Sequence, residues 1–162
     1  MKKVLLTVGV TASLFLVQVG AYAQSNTVKS EITTAVLAEK SAIEKLIFSY
    51  QDALNASNAD KVISLYTNNG VLIANAAPTS DGAVQVKGTY EYVFDNFAFN
   101  LKFNIIEIQV NGNTAFARST SKGSLIIKSS GQTVPDENRE LFVFEKTDGQ
   151  WKIARYMYNK TK

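Results

Sequence analysis

The chain has 162 residues, with 17 Lys and Arg against 14 Asp and Glu, 46% hydrophobic residues, no Cys and no His. This length and apolar content suit one globular domain. The lack of Cys excludes disulfides and thiolate nucleophiles, and the lack of His excludes a Ser-His-Asp triad and the usual zinc sites. Any chemistry must therefore rest on carboxyl, phenol, ammonium, guanidinium or amide groups, or on a bound cofactor.

The first 23 residues have the pattern of a secretory signal peptide. Residues 1–3 are a positively charged start, residues 4–19 are apolar, and residues 20–23 end in an Ala-x-Ala cleavage motif. A membrane-spanning helix needs roughly 20 apolar residues, whereas this run is shorter and is interrupted by Gly9. We expect cleavage after Ala23 and export to the periplasm or the medium, with no membrane anchor left.

The basic character of the chain belongs mainly to this segment. Removal of Lys2 and Lys3 leaves 15 basic residues against 14 acidic ones, a net charge of +1. The remaining Lys and Arg are scattered along the sequence, so the charge pattern gives no indication of a nucleic-acid partner.

The next part of the chain is predicted to be helical. Residues 24–38 are a polar leader or a helical extension. Apolar residues at three-, four- and seven-residue intervals predict an amphipathic helix over residues 32–54. Ser41 and Glu44 form a capping-box pattern, so the well-packed part of this helix is predicted to begin there.

Two shorter helices follow in the prediction. Asn58 is a good N-cap for a helix over residues 59–67, and residues 68–70 (Asn-Asn-Gly) predict its left-handed end. Residues 71–73 predict a short strand, and the segment from Pro78 to Gly82 predicts a loop. Apolar residues spaced by three and four then predict a third helix over residues 89–97.

The remainder of the chain has the two-residue period of strands. The apolar positions change phase after Ile105, which predicts a β-bulge near Ile105 and Ile106 and a sharp bend in the sheet. Turn signals separate further strands, which are predicted over residues 114–122, 125–127, 139–146 and 150–158. Pro78 and Pro135 are both predicted to lie in loops. The fold class is therefore α+β, in one domain over residues 39–160.

The order and spacing of several strings resemble one known superfamily. These strings are Tyr50 to Asp60, Leu65-Tyr66, Gly70 to Leu72, Val86 to Gly88 and Asp148 to Ile153. The chain is similar to the nuclear transport factor two-like, or ketosteroid isomerase-like, proteins, and within them to the SnoaL-like, SgcJ/EcaC-type bacterial branch. The resemblance covers roughly residues 39 to 158. It implies a cone-shaped roll, in which three helices pack in a strongly curved, mainly antiparallel sheet around an apolar pocket, and it implies a homodimer.

The resemblance also points to individual positions. Tyr50 matches the first-helix Tyr of the ketosteroid isomerases, and Glu140 is a loose match to their second acid. The position of their proton-transferring Asp falls at or beside Ala74, where this chain has no carboxyl group. The His-dependent cyclases and dehydratases of the superfamily have no counterpart here, because the chain has no His.

The candidate catalytic residues are thus Tyr50 and Glu140, with no metal ligands and no cofactor expected. Arg118 or Arg155 could pair with Glu140 at the base of the pocket, but a solvated face of the sheet is the favoured alternative for these charged residues. The candidate pocket residues are Tyr66, Asn75, Phe94, Phe97, Phe103, Arg118, Arg155 and Tyr156. Many of these side chains could equally belong to the core, to solvated faces of the sheet or to a dimer interface.

Three functional hypotheses follow. The first is an exported protein that binds a small apolar or aromatic molecule. The second is a cofactor-free isomerase, dehydratase or cyclase that uses Tyr50 and Glu140. The third is a non-catalytic module for dimerisation or transport of a ligand.

Overall fold

The structure is a computed structural model that describes the backbone of residues 15–161 and the side chains of residues 29–161. The side chains of the predicted signal peptide, residues 1–23, therefore lie outside the described residues. The chain divides into two compact units, one that ends at Leu37 and one that begins at Ala38. The second unit contains the sheet. Within the described residues, the structure has no helix with the length and apolar character needed to cross a membrane.

The first helix is longer than predicted. Helix α1 runs from Phe15 to Asn55, so residues 24–38 are helical and Ser41 lies within the helix instead of at its start. The hydroxyl of Thr33 donates to the carbonyl of Lys29, one turn earlier, which is compatible with a continuing helix. The buried face of α1 in the second unit consists of Ile43, Ile47, Tyr50, Ala53 and Leu54.

Glu39 joins the start of this packed face to the last hairpin of the sheet. One oxygen of its carboxylate accepts from Nζ of Lys146 at 2.6 Å, and the other accepts from Nε1 of Trp151 at 2.6 Å. The indole of Trp151 is buried, so the contact satisfies a polar group that would otherwise have no partner.

The second helix ends earlier than predicted. Helix α2 covers Ala59–Ser64, and Oδ1 of Asn58 caps it by accepting from the backbone N–H of Lys61 at 2.8 Å. Strand β1 then runs over Tyr66–Ile73, so residues 68–70 are not a left-handed helix end. Gly70 has a packing role instead: a Cβ atom there would lie 2.7 Å from Cδ1 of Tyr66.

The third helix begins earlier than predicted. A short strand β2, Ser80–Asp81, precedes helix α3, Gly82–Asn96. Gly82 has φ +80°, a conformation that favours glycine, so it turns the chain from β2 into α3. Val86, Tyr90 and Phe94 form the buried face of α3.

Six strands form one sheet in the order β2-β1-β6-β5-β4-β3. Strand β3 covers Phe97–Asn111, β4 covers Thr114–Ile127, β5 covers Gln132–Thr147 and β6 covers Gln150–Lys160. All neighbouring pairs are antiparallel except β1 and β6, which are parallel. The α+β class and the mainly antiparallel sheet are thus confirmed.

The predicted bulge is confirmed. Ile105 pairs with Ser119 and Glu107 pairs with Arg118, which leaves Ile106 as the extra residue of β3. A second bulge lies in β6, where Ala154 falls between two paired residues. Bulges bend a strand and increase its twist, so these two positions account for curvature of the sheet.

Strands β4 and β5 are longer than predicted. The segments over residues 114–122 and 125–127 form one strand through Gly123, where the backbone of β3 comes so close that a Cβ atom would lie 1.9 Å from the carbonyl oxygen of Asn100. Pro135 lies in β5, not in a loop. At this end β5 pairs with β4 only, because the pairing with β6 stops at Asn138, so Pro135 sits on an edge segment where a missing N–H is tolerated.

Candidate functional site

A cavity of about 670 Å³ opens between helices α1 and α3 and one face of the sheet. This volume lies within the range of pockets that hold small organic ligands, roughly 300 to 1,000 Å³. Most of its wall is apolar, and the apolar part includes Leu54, Leu72, Val93, Phe97, Phe99, Leu101 and Leu125. Ala74, at the position matched to the isomerase Asp, also lies on this wall.

The polar part of the wall comes from alternate residues of β5. Asp136, Asn138 and Glu140 are all buried and all line the cavity, because side chains two residues apart share one face of a strand. On the neighbouring strand, Ser121 is paired with Asn138 and Ser119 is paired with Glu140. Both serines are fully buried, so the two strands together form a narrow polar patch in an apolar surface.

Glu140 is the central acid of this patch. Its side chain is 4% exposed, and its Oε2 accepts from Oγ of Ser119 at 2.8 Å. Burial raises the pKa of the carboxyl group from 4.5 to about 7, against the opposing effect of hydrogen bonding by the hydroxyls of Ser121, Ser119 and Tyr156. Glu140 is therefore poised to hold or release a proton near neutral pH.

Three tyrosine hydroxyls form a chain beside this acid. The hydroxyl of Tyr90 lies 2.7 Å from that of Tyr50 and 3.0 Å from that of Tyr66. Burial raises the pKa of each of the three phenols well above its ordinary value. They are neutral at physiological pH and act as hydrogen-bonding groups, not as bases.

Tyr156 connects the acid to the aromatic part of the core. Its ring stacks on Phe142, with centroids 4.3 Å apart, and meets Tyr50 edge to face at 5.1 Å. Tyr158 stacks on Tyr156 at 5.7 Å and also lines the cavity. These rings give the cavity a flat aromatic wall next to its polar patch.

A charged pair lies at one side of the cavity. Nζ of Lys160 donates to Oδ1 of Asp136 at 2.8 Å. The carboxylate is buried, whereas the ammonium group is partly exposed, so the pair has one end in the cavity wall and the other in contact with solvent. Lys160 is therefore the counter-ion of the buried Asp136 carboxylate.

The structure brings four of the predicted site residues to the cavity wall, namely Tyr50, Phe97, Glu140 and Tyr156. Three others, Tyr66, Phe94 and Phe103, are buried in the hydrophobic core behind that wall. Tyr66 still contributes through its hydroxyl contact with Tyr90.

The structure pairs neither Arg118 nor Arg155 with Glu140, and both side chains lie on a solvated face, as in the favoured alternative. Arg118 is exposed and its Nε donates to Oε1 of Glu107 at 2.8 Å, across the bulge. Arg155 is exposed as well, and its guanidinium group donates to backbone carbonyls, including that of Asn69 at 3.3 Å. Both side chains point away from the acid because odd-numbered residues of β5 and their register partners face the other side of the sheet. Asn75 is half-buried and does not line the cavity, and its Oδ1 accepts from the backbone N–H of Lys160 at 3.4 Å.

Several cavity residues were not predicted from the sequence. Asn138 and Asp136 could have been found by extending the alternation from Glu140 back along β5. Tyr90 lies in the predicted third helix, residues 89–97, but the apolar spacing of that helix does not show that its hydroxyl contacts other hydroxyls. Across the described part of the chain, His, Cys, Asp and Glu side chains nowhere gather in a group of three that could hold a metal ion.

The comparisons with known proteins agree with this architecture. Residues 43–158 match the model of a family described as SnoaL-like domain. The chain belongs to the SnoaL-like domain family. This SnoaL-like protein is similar to a ketosteroid isomerase-like protein from Erwinia carotovora atroseptica, with 31% sequence identity, a TM-score of 0.73, and coverage of 75% of this chain and 95% of that chain.

Two further solved structures share the fold at lower identity. One is a candidate scytalone dehydratase from Novosphingobium aromaticivorans, with 21% identity, a TM-score of 0.70, and coverage of 80% of this chain and 89% of that chain. The other is an NTF2-like protein with a cystatin-like fold from the same organism, with 19% identity, a TM-score of 0.67, and coverage of 82% and 88%. A comparison with curated proteins gives no match.

Proposed function

We propose that this SnoaL-like protein is exported and binds a small, largely apolar molecule in its cavity. The observation that carries the proposal is a 670 Å³ cavity whose apolar and aromatic walls surround a compact group of hydroxyl, amide and carboxyl side chains. Such a combination provides apolar contact for affinity and a few polar groups for orientation. The signal-peptide pattern of residues 1–23 supports export.

Binding is tested by filling the cavity. Val93 of α3 lines the cavity, whereas Val84 on the same helix is 87% exposed. We expect wild-type protein and Val84→Trp to bind two-ring aromatic compounds saturably in calorimetric titrations, and Val93→Trp to lose that binding. Unchanged binding by Val93→Trp, or no saturation by the wild type, would contradict the proposal. Export is tested by the mass of the protein recovered outside the cytoplasm, which should correspond to a chain that begins at Gln24.

A specific observation also favours a second function, cofactor-free proton transfer. Glu140 has a pKa of about 7 and lines the same cavity as Tyr50. As a carboxylate, Glu140 would take a proton from the carbon next to a ligand carbonyl, while Tyr50 donates a hydrogen bond to the enolate oxygen that forms. If the ligand is unsaturated, so that the enolate is conjugated, return of that proton to a different carbon gives an isomerisation. If the ligand carries a hydroxyl on the next carbon, that group takes the proton from Glu140 and leaves as water, which gives a dehydration and restores the carboxylate.

Proton transfer is tested separately from binding. We expect wild-type protein to accelerate the exchange of the hydrogens next to the carbonyl of 2-tetralone for deuterium, followed by NMR in heavy water. Glu140→Gln should lose the acceleration, whereas Glu145→Gln, on the same strand but outside the cavity, should keep it. A wild-type rate equal to that of the buffer would leave binding as the function of the cavity.

We further propose that the chain forms a homodimer through the sheet face opposite the cavity. Ile73, Met157 and Leu141 lie side by side on that face through the strand register, and each is between 37% and 39% exposed. A row of exposed apolar side chains is typical of an interface. Sedimentation should give the mass of two chains for the wild type and of one chain for Leu141→Glu, and a monomeric wild type would refute the dimer.

A further inference from the structure

One half-buried hydroxyl of the cavity wall has no hydrogen-bond partner among the described residues. It belongs to Tyr158 of β6, which lines the cavity and packs against the core. Burial and nearby charges raise the pKa of this phenol, and no hydrogen bond contributes to the change. The hydroxyls of Tyr50, Tyr66 and Tyr90, in contrast, hydrogen-bond to one another. Tyr158 therefore has a hydrogen-bonding capacity that the described residues leave unused.

The oxygen of this hydroxyl is accessible and is not sealed in the wall. Within the described part of the chain, two buried side-chain polar atoms lack a partner and have essentially no accessible surface, namely Oγ1 of Thr67 and Oδ1 of Asn138. The hydroxyl oxygen of Tyr158 is not one of these sealed atoms, although it has no partner either. Because the side chain of Tyr158 lines the cavity, a molecule in the cavity can reach this oxygen.

The strand register places Tyr158 beside Glu140. The two residues are directly paired between β5 and β6, so their side chains lie on the same face of the sheet. The ring of Tyr158 stacks on Tyr156, with centroids 5.7 Å apart, which holds it on that face. A group bound by the hydroxyl of Tyr158 would therefore lie close to the acid of the polar patch.

The charges around this hydroxyl favour a neutral acceptor on the ligand. The raised pKa of Tyr158 means that the phenol keeps its hydrogen at neutral pH and can donate it. Lys160 balances the charge of Asp136, but Glu140 has no cationic partner among the described residues. An anionic ligand group would thus meet a like charge whenever Glu140 is ionised, whereas a carbonyl group would not.

We propose that Tyr158 is a specificity-determining residue, and that its hydroxyl donates a hydrogen bond to a neutral acceptor, such as a carbonyl group, on the molecule bound in the cavity. This inference rests on the proposed binding of a small apolar molecule in the same cavity and adds the polar group that this molecule carries. The donor lies on β6, whereas Tyr50, which matches the ketosteroid isomerases, lies on α1. The contact is therefore one that the family resemblance does not assign.

The test uses two probes that differ in the acceptor alone. They are 2-acetonaphthone, which has a carbonyl group, and 2-isopropenylnaphthalene, in which a CH₂ group replaces the carbonyl oxygen. Each is titrated calorimetrically into wild-type protein and into Tyr158→Phe, which removes only the hydroxyl. We expect the variant to bind 2-acetonaphthone about fivefold more weakly than the wild type and to bind 2-isopropenylnaphthalene unchanged. Comparison of each probe between the two proteins cancels the difference in hydrophobicity between the probes.

Two controls separate recognition from packing. Tyr92→Phe removes a hydroxyl from a side chain that lines the same cavity but is 68% exposed, and it should leave both affinities unchanged because water replaces the lost contact. Tyr158→Phe should also keep the melting temperature of the wild type, since the hydroxyl has no partner among the described residues to lose. A lower melting temperature would show that the fold itself uses the hydroxyl, and would overturn the proposal.

Each titration outcome bears on a different part of the reasoning. Equal binding of 2-acetonaphthone by wild type and Tyr158→Phe, or an equal loss for both probes in the variant, would overturn the role of Tyr158 while ligand binding stands. Wild-type binding of 2-naphthoate as tight as that of 2-acetonaphthone would overturn the neutral class of the acceptor. Failure of the wild type to bind either 2-acetonaphthone or 2-isopropenylnaphthalene would overturn the proposed function and this inference with it.

Discussion

Replacing Glu140 with Gln keeps the shape of the side chain but leaves it neutral at every pH. Comparison of this variant with the wild type therefore measures the effect of the ionisation of Glu140 on stability. Burial raises the pKa of Glu140 from 4.5 to about 7. Between these two values the folded protein holds a proton that the unfolded chain has released, so stability falls as the pH rises through this window. The full gap corresponds to about 3.5 kcal/mol, at about 1.4 kcal/mol for each pH unit.

The measurement is the free energy of unfolding in urea, for both proteins, at pH 5 and at pH 8. Wild-type protein should lose about 2.5 kcal/mol more than Glu140→Gln between the two pH values, because only the wild type must bury a charge at the higher pH. Glu145→Gln, a change outside the cavity on the same strand, should keep the wild-type loss. If Glu140→Gln and wild type differ by the same amount at both pH values, the raised pKa of Glu140 is refuted.

Three further changes test contacts around the site. Tyr50→Phe removes one hydroxyl from the buried chain and should lower the free energy of unfolding by about 1 kcal/mol in urea denaturation, since its partner keeps a second contact; no loss would contradict that contact. Gly123→Ala forces a Cβ atom onto the backbone of Asn100 and should cost about 3 kcal/mol, and an unchanged melting temperature would contradict the close approach. Glu39→Gln should be less stable than wild type at neutral pH but not in acid, because the hydrogen bond from Lys146 lowers the pKa of Glu39 in the folded protein. The stabilisation by this carboxylate is present above its unfolded pKa and is lost as the pH falls through its folded pKa. Melting curves of the two proteins that differ equally at both pH values would contradict the lowered pKa.

The sequence predicted well those features that depend on the local periodicity of apolar residues. The change of phase at Ile105 located the bulge because the side-chain period of a strand is two, and one extra residue reverses it. The spacing of apolar residues over residues 32–54 predicted an amphipathic helix because the helical period is close to 3.6, and Tyr50 lies on the buried face of that helix. Asn58 was identified as an N-cap from its side chain alone.

The features that the sequence did not predict depend on distant parts of the chain. Residues 68–70 have the composition of a turn, but β1 is held as a strand by its pairing with β6, which lies far away in sequence. Gly123 looks like a strand break, yet it is required inside β4 because the backbone of β3 approaches it closely. A short-range pattern contains neither piece of information.

The positions of the charged residues also depend on strand register, which a short-range sequence pattern does not contain. Arg118 was a reasonable partner for Glu140 by distance along the sheet, but the two side chains lie on opposite faces, a relation fixed by the register between β4 and β5. Glu140 is instead stabilised by serine hydroxyls, which carry no charge and leave little trace in the sequence. Asn138 needed the alternation along β5 to be followed for one further step.

The chain of hydroxyls at Tyr66, Tyr90 and Tyr50 can be read in two directions. If each hydrogen points from Tyr66 toward Tyr50, the hydroxyl of Tyr50 donates onward to that of Tyr156, which hydrogen-bonds to Glu140; if all the hydrogens reverse, the hydroxyl of Tyr50 accepts instead. This reversal requires only rotation of the hydroxyl hydrogens about their C–O bonds and moves no heavy atom, so Tyr50 can act either as a hydrogen-bond donor or as an acceptor. A Glu140 carboxylate can only accept from the hydroxyl of Tyr156, whereas a protonated Glu140 can also donate, so the protonation state of this one acid sets the direction of the whole row of hydroxyls.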